Sequence, residues 1–450
     1  MTRIVALIDG EHYPPVVRSA LTSLGYEYEV AAAAFIGGSE KVDLGAGMQT
    51  YGVPVVVAPT AAEALAEAID RYEPCAVIDL SDEPVLSSRD RFHLAGVALA
   101  RGVEYRGADF HFAPPRVRIT TRTPALGVVG TGKRVGKTAV SAYVARRLKA
   151  AGRDIVVVAM GRGGPSEPEL IHGEQVELTT PDLLALARAG RHAASDNYED
   201  AVMSRVTTIG CRRCGGGMAG EAYFSNVPEG ARLADSLGKE LIVFEGSGAS
   251  VPPARMDATI LVVGAGRGVS YVRDYFGPYR LGRADAVVLA SAEEPVASAE
   301  QVAAMRAAIA ESHPGLPVIA TTFRPAPVES VSGKRVFFAT TAPPRMLAVL
   351  TSYLETEYGC QVVGASPNLS DRVQLREDMR VAAGSFDTLL TELKAAAIDV
   401  VAAAGEDAGV PTVLCDNVPV AVDSGDLGEL VDTVAAAAID RGRQREGVHR

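Results

Sequence analysis

Short apolar, β-branched runs recur along the chain, and most are followed by a longer amphipathic stretch. In the first block, Ile4–Ile8, Val30–Ile36, Val53–Val57 and Cys75–Leu80 read as strands, with Val103–Tyr105 as a short edge strand. Between them, Val16–Leu24, Ala61–Tyr72 and Arg89–Ala100 have helical periodicity. Alternation at this spacing predicts βαβ units around a parallel sheet. Pro114-Pro115 marks the end of the block. A second block, about residues 121–330, repeats the pattern with strands at Leu126–Val129, Ile155–Ala159, Leu241–Phe244, Thr259–Val263, Ala286–Leu289 and Pro317–Ala320. Its first helix carries the stripe Val140, Tyr143, Val144, Arg147, Leu148 and breaks at Gly152. A third block, 331–450, repeats it more weakly through Val336–Ala339, a helix over Met346–Tyr358, Gln361–Val363, Phe386–Lys394, Val400–Ala403 and Thr412–Leu414. The polar tail from Arg441 to Arg450 is expected to fray.

The second block opens on Gly130-Thr-Gly-Lys-Arg-Val-Gly-Lys-Thr138, placed where a strand becomes a helix. A strand, a Gly-rich loop ending Gly-Lys-Thr and a helix are the parts of a phosphate-binding P-loop. Backbone N–H groups of Gly130, Thr131, Gly132, Val135 and Gly136 and the helix N-terminus would cradle phosphates. Lys137 would reach the β- and γ-phosphates, and the Thr138 hydroxyl would serve Mg²⁺. The loop is one residue longer than the standard spacing, because the usual first Gly falls at Thr131 and the actual one is Gly130. This longer form resembles dethiobiotin synthetase and its relatives. The predicted fold class is therefore α/β: a P-loop NTPase-type parallel sheet domain (121–330) flanked by N-terminal (1–120) and C-terminal (331–450) Rossmann-like α/β units.

Composition narrows the partners. The 450 residues suffice for two or three domains at roughly 150 residues each. No apolar run approaches the ~18 residues of a membrane span, so no membrane partner is expected, and the cytoplasm is the expected location. A net charge of −11 argues against broad nucleic-acid binding. An acidic chain that binds phosphates needs local cations, and the candidates are Lys133, Arg134, Lys137, Arg162, Arg205, Arg212 and Arg213. The five cysteines are too sparse for a disulfide framework.

Several segments concentrate chemistry. Leu241–Gly248 reads as a buried strand ending in Glu245 and glycines, where P-loop folds present an acid to Mg²⁺; a turn-capping acid is the alternative. Arg162 and Gly163 lie among glycines at a carboxyl strand end, where α/β sheets bind ligands. They open a polar, Gly-rich stretch, 162–238, that reads as a long insertion folding over the site. Within it, Cys211-Arg-Arg-Cys214 and its glycines suggest an anion nest. Half a zinc site, completed by His172 or His192, or a redox pair is the other reading. His192–Asp200 concentrates titratable groups and is either a second functional cluster or a helix start capped by Ser195 or Asp196. Asp182 is a further candidate metal ligand. In the first block, Asp9, Glu11 and His12 face the turn at Gly37-Gly38 within Phe35–Lys41, which suggests a second site or ordinary loops.

Taken together, Leu7–Tyr13, Phe35–Gly38, the P-loop, Gly161–Pro165, Cys211–Gly220, Phe244–Gly248 and Val336–Pro343 resemble the cyclic 2,3-diphosphoglycerate synthetase family over nearly the full chain. The resemblance implies a reaction in which ATP and 2,3-diphosphoglycerate give the cyclic pyrophosphate, ADP and phosphate. Lys137, Lys133, Arg162 and Arg213 would then carry catalysis. Arg162, Gly163, Arg205, Arg212 and Arg213 would bind the substrate, with Thr138, Glu245 and Asp182 on Mg²⁺. The implied partner is a small anionic phosphorylated substrate, with a homodimer left open. A 2-phosphoglycerate kinase using the same site is the first alternative. A P-loop ATPase switch is the second, although the signature lysine of such switches would fall at Gly132.

Overall fold

A computed structural model of the chain describes residues 1–38 and 50–448. The Ser39–Lys41 part of the Gly37-Gly38 turn segment lies outside the described residues. The chain falls into two compact units, residues 1–116 with 269–283 and 308–314, and the remainder.

The first unit holds β1 (Thr2–Ile8), β2 (Tyr28–Phe35), β3 (Val55–Val56), β4 (Ala76–Asp79), β5 (Glu104–Arg106) and β6 (His111–Phe112). They form one sheet in the order β3-β2-β1-β4-β5-β6, parallel except for the β5–β6 pair. Ile4–Ile8 is fully buried because both faces of the central strand are covered, as parallel sheets require. Asp9 closes β1 and accepts hydrogen bonds from the Glu11, His12 and Asp82 amides and pairs with His12 Nδ1 at 2.9 Å. A Cβ on Gly10 would overlap the Gly38 carbonyl, so this turn demands glycine.

The second unit contains β7 (Ala125–Gly130), β8 (Ile155–Gly161), β9 (Glu169–His172), β10 (Thr207–Cys214), β11 (Phe224–Ser225), β12 (Leu241–Glu245), β13 (Ala258–Gly264), β14 (Ala286–Ala290) and β15 (Val318–Pro327). The chain then adds β16 (Arg335–Ala339), β17 (Gln361–Ser366), β18 (Thr388–Glu392) and β19 (Thr412–Ala421). All belong to one sheet, ordered β11-β10-β8-β12-β7-β13-β14-β15-β19-β18-β16-β17, with β9 on β10. The run from β10 to β15 is parallel, and β19-β18-β16-β17 is parallel again. The antiparallel pair β15–β19, from Thr321↔Ala421 to Pro327↔Cys415, joins the two halves. The C-terminal strands thus extend the P-loop sheet instead of forming a separate one.

Buried Val140, Val144 and Leu148 of the helix Lys137–Ala150 pack on Leu126, Val128 and Ile260 of the sheet. Full burial of such side chains contributes about 1.5–3 kcal/mol each.

Two expectations are corrected. The stretch 162–238 is not a polar cover: β10 lies inside the parallel sheet beside β8, and the helix Val227–Ser236 packs against it. Its run Thr-Thr-Ile-Gly-Cys alternates too little in polarity to announce a strand, and burial between flanking layers supplies what the pattern lacks. The tail does not fray at 441 either. A helix runs Leu427–Val448, with Arg441 paired to Asp285 and Arg445 held bidentately by buried Asp257 and by the Thr121 carbonyl.

Arg445→Ala leaves Asp257 buried without its cation, although the Ala125 amide still donates to it at 2.9 Å. The expected cost is about 3 kcal/mol. A urea unfolding transition of the second unit unchanged from wild type would contradict this role.

Candidate functional site

The P-loop occupies the turn between β7 and the helix Lys137–Ala150. Its shape depends on two left-handed residues, Arg134 (φ 59°) and Gly136 (φ 84°). At Gly136 the requirement is double, since a Cβ there would also strike the Phe323 ring. The loop opens into a cavity of about 750 Å³, within the ~300–1,000 Å³ range of small-molecule sites. Gly132, Lys133, Arg134, Val135, Gly136, Lys137 and Thr138 line one wall, and Arg162, Gly163, His192 and Asp196 another. Thr341, Asn368, Ser370 and Lys394 line it from the C-terminal half of the sheet. Gly130 and Thr131 stand at the base, where Thr131 N donates to the Val262 carbonyl at 3.0 Å.

β12 lies between β7 and β8, so Glu245 ends the strand beside the P-loop. Its carboxylate is fully buried and accepts a hydrogen bond from Lys137 Nζ through Oε1, while Oε2 has no partner among the described residues. An acid beside the P-loop on the adjacent strand, together with the Thr138 hydroxyl that lines the cavity, supplies the oxygen donors that Mg²⁺ takes. No cluster of three or more His, Cys, Asp or Glu that could hold a metal by themselves occurs among the described residues. A metal here would therefore need oxygens from a bound phosphate.

Asp196, Glu199 and Asp200 come up beneath this wall on a short helix, Asp196–Glu199, and the π-helical turn Asp200–Ser204. Asp200 is fully buried, with its carboxyl against that of Glu245. Burial, and then the charge of Glu245, drive its pKa well above its ordinary value. Burial likewise pushes Glu199 up to about 8, partly offset by Lys394, whose Nζ lies 3.3 Å from Glu199 Oε1. Burial and then Glu245 raise Asp196. Ser195 takes the helix N-cap position without capping, and its hydroxyl donates to Asn197 Oδ1 at 2.6 Å.

The cationic candidates separate. Arg162 and Arg213 converge on Gly248: a Cβ built there would lie 2.8 Å from an Arg162 nitrogen and 3.4 Å from an Arg213 nitrogen. Arg213 is buried and donates to the Ser247 carbonyl at 2.8 Å and the Gly215 carbonyl at 3.0 Å, which ties it to the loop after Glu245. Arg212, one residue back on β10, projects to the other face and donates to the Gly164 and Pro165 carbonyls. It holds the Gly163-Gly164 turn and does not line the cavity. Arg205 lies in a different cavity, with Glu177 at 3.8 Å, so the structure does not bring it to the P-loop. Asp182 is exposed and closes a capping box with Thr179, so it caps a helix away from the P-loop cavity.

The cysteine pair is also resolved. Three residues apart on a strand, Cys211 is buried against Gly230 and Cys214 is exposed. Burial pushes the Cys211 thiol up to about 12. They form neither a redox pair nor half of a zinc site, and the glycines after Cys214 build a turn around Arg213 instead of an open nest.

Family models match three successive segments: the N-terminal domain of cyclic 2,3-diphosphoglycerate synthetase over residues 3–113, its P-loop domain over 125–322 and its C-terminal domain over 327–418. The synthetase of Rubrobacter xylanophilus is 48% identical over 447 residues, covering 99% of both chains. That of Methanothermus fervidus is 43% identical over 449 residues, covering 97% of this chain and 98% of its own. The chain belongs to the cyclic 2,3-diphosphoglycerate synthetase family. Among solved structures, LpxK from Aquifex aeolicus in complex with ATP covers 70% of this chain and 90% of its own, at 15% identity and a TM-score of 0.41. In this chain the cavity adds Lys394, Asn368 and Phe323 to the residues visible in sequence motifs. Lys394 had a faint signal, as the last residue of the predicted segment Phe386–Lys394. No helix among the described residues is long and apolar enough to cross a membrane.

Asp200 provides a test of the buried acid cluster. Its raised folded pKa means that its stabilising contribution is complete below the ordinary value of 3.8 and is lost as pH rises toward the folded pKa. Asp200→Asn removes that dependence and can donate to Glu245. The variant should therefore gain in thermal midpoint over wild type as pH rises from 4 to 8. An identical pH profile for the two proteins would contradict the buried-acid assignment.

Proposed function

We propose that this chain is an ATP-dependent ligase that closes the intramolecular pyrophosphate of cyclic 2,3-diphosphoglycerate, with ADP and phosphate released. The single observation that carries the reading is near-full-length similarity to synthetases of that name in a chain whose P-loop lysine meets a buried acid. That name favours ring closure over a 2-phosphoglycerate kinase or a P-loop switch. ATP and Mg²⁺ are the implied co-substrate and metal, and the cytoplasm is the implied location.

The chemistry needs two displacements. An oxygen of one acceptor phosphate attacks the γ-phosphorus of ATP, the bond to the β-phosphate oxygen breaks, and ADP leaves. An oxygen of the second acceptor phosphate then attacks the acceptor's own phosphorus that carries the transferred group. The phosphoanhydride breaks, inorganic phosphate leaves, and the ring closes. Both steps gather negative charge in a small volume, so positioning and cationic stabilisation dominate over covalent catalysis by the protein.

The residues divide that work. A triphosphate entering the loop competes with Glu245 for Lys137, whose ammonium then follows charge onto the γ-phosphoryl group. Glu245, relieved of Lys137, and Thr138 would hold Mg²⁺, which supplies neutralisation of the phosphate oxygens. Lys133 lines the mouth of the cavity, with its carbonyl fixed by Arg267 at 2.7 Å. Arg162 faces the cavity, and Arg213 behind it stiffens the Ser247-Gly248 loop. Gly163 is part of this wall, with the His192 ring packed against it.

Lys137→Ala should reduce turnover by on the order of 10²-fold or more, since it removes about 3 kcal/mol of transition-state stabilisation. ³¹P NMR of wild type with ATP, Mg²⁺ and 2,3-diphosphoglycerate should show one ADP and one free phosphate per cyclic product. A phosphorylated acceptor without free phosphate would replace the ligase by the kinase, and phosphate without cyclic product would leave an ATPase.

A further inference from the structure

The P-loop cations account for a nucleotide's phosphates, but the acceptor in the reaction brings further anionic groups that need a partner of their own. From the C-terminal half of the sheet, the described cavity lining receives one lysine, Lys394. It sits two residues past Glu392 at the carboxyl end of β18, in the C-terminal half of the sheet. The backbone around it is constrained. Lys394 N donates to the Glu392 carbonyl, Ala395 adopts the left-handed region (φ 46°), and Ala396 N donates to the Leu369 carbonyl. A non-glycine residue held in that region is strain of the kind that clusters at ligand sites. Its partner Glu199 is nearly buried and lies outside the cavity lining, whereas Lys394 and Asp196 both line the cavity.

We propose that Lys394 binds an anionic group of the acceptor, a phosphate or the carboxylate of the diphosphoglycerate, with Glu199 as the anchor that holds its ammonium at the cavity. This inference rests on the ligase reading above. An ammonium on a flexible stem suits the task, because it can keep contact with a phosphate while that group changes its bonds. Lys137 and Lys394 line one cavity from the two halves of the sheet, which leaves Lys137 to the nucleotide and Lys394 to the acceptor. The pair with Glu199 orders the side chain in advance, which lowers the entropy cost of binding. Burial raises Glu199 to about 8, and the charge of Lys394 opposes this; Glu392 and Asp196 act on Lys394 as well, and together the carboxylates keep its ammonium charged.

The test separates binding from mere neutralisation of Glu199. Wild type, Lys394→Met, Lys394→Arg and the double variant Glu199→Gln/Lys394→Met are compared in cyclisation kinetics, thermal unfolding and calorimetric binding of 2,3-diphosphoglycerate. Lys394→Met should raise the KM and Kd for the diphosphoglycerate about 10-fold or more while leaving the KM for ATP within two-fold. Lys394→Arg should recover most of the loss. The double variant should regain thermal stability, because no buried charge is left unpaired, yet keep the binding defect. Recovery of diphosphoglycerate affinity in the double variant would show that Lys394 serves only to neutralise Glu199, and would overturn the inference. An equal rise in both KM values would overturn it as well. Wild type that forms no cyclic product would instead remove the ligase reading itself, a result distinct from a wild type that cyclises alongside an unaffected Lys394→Met.

Discussion

The buried pair of Lys137 and Glu245 is the interaction on which the site depends. It links the first residue of the P-loop helix to the last residue of the neighbouring strand, under a loop that is otherwise backbone and glycine. Such a pair has little claim on stability for its own sake, because desolvation of two charges offsets most of their attraction. Removing one partner is what costs, by about 3–5 kcal/mol in comparable cases. The arrangement is therefore better understood as a preset exchange. A phosphate can replace Glu245 as the partner of Lys137 without exposing either group to water, and the carboxylate becomes available to a cation at the same moment.

Much of the surrounding structure follows from keeping that pair dry and correctly placed. Asp200 lies fully buried against Glu245, so holding a proton is its least costly state. Glu199 pairs with Lys394, which reaches it from the turn after β18 in the C-terminal half. Arg213 secures the Ser247-Gly248 loop directly after Glu245, and Gly248 has no side chain because two guanidinium groups occupy that space. The result is an acidic floor under a cationic wall. That combination suits a reaction that must gather several phosphates and let one of them leave.

The antiparallel pairing of β15 with β19 contributes the second half of the cavity. A P-loop sheet ending at β15 would leave Phe323 and Thr322 at an exposed edge. Here β19, β18, β16 and β17 continue the sheet, and the segments after β16, β17 and β18 bring Thr341, Asn368 and Lys394 to the same opening. Phe323 then closes on Gly136, so the extension of the sheet also buttresses the phosphate loop.

The sequence by itself determined the α/β class, the position of most strands along the chain, the P-loop and the acid at Glu245. Each of these is written in a handful of adjacent residues: an apolar run, a glycine turn, a capped helix start. What sequence spacing could not decide was which distant segments meet. Lys137 and Glu245 are 108 positions apart, and Arg445 and Asp257 are 188 apart. Only the tertiary structure shows that β10 is a buried strand, that the final helix is clamped by Asp257, and that Arg205 and Asp182 face elsewhere. Arg212 and Arg213 make the division plain. They are adjacent and chemically identical, yet strand alternation sends one to a glycine turn and the other toward the phosphate loop, and the choice of face belongs to the packed sheet.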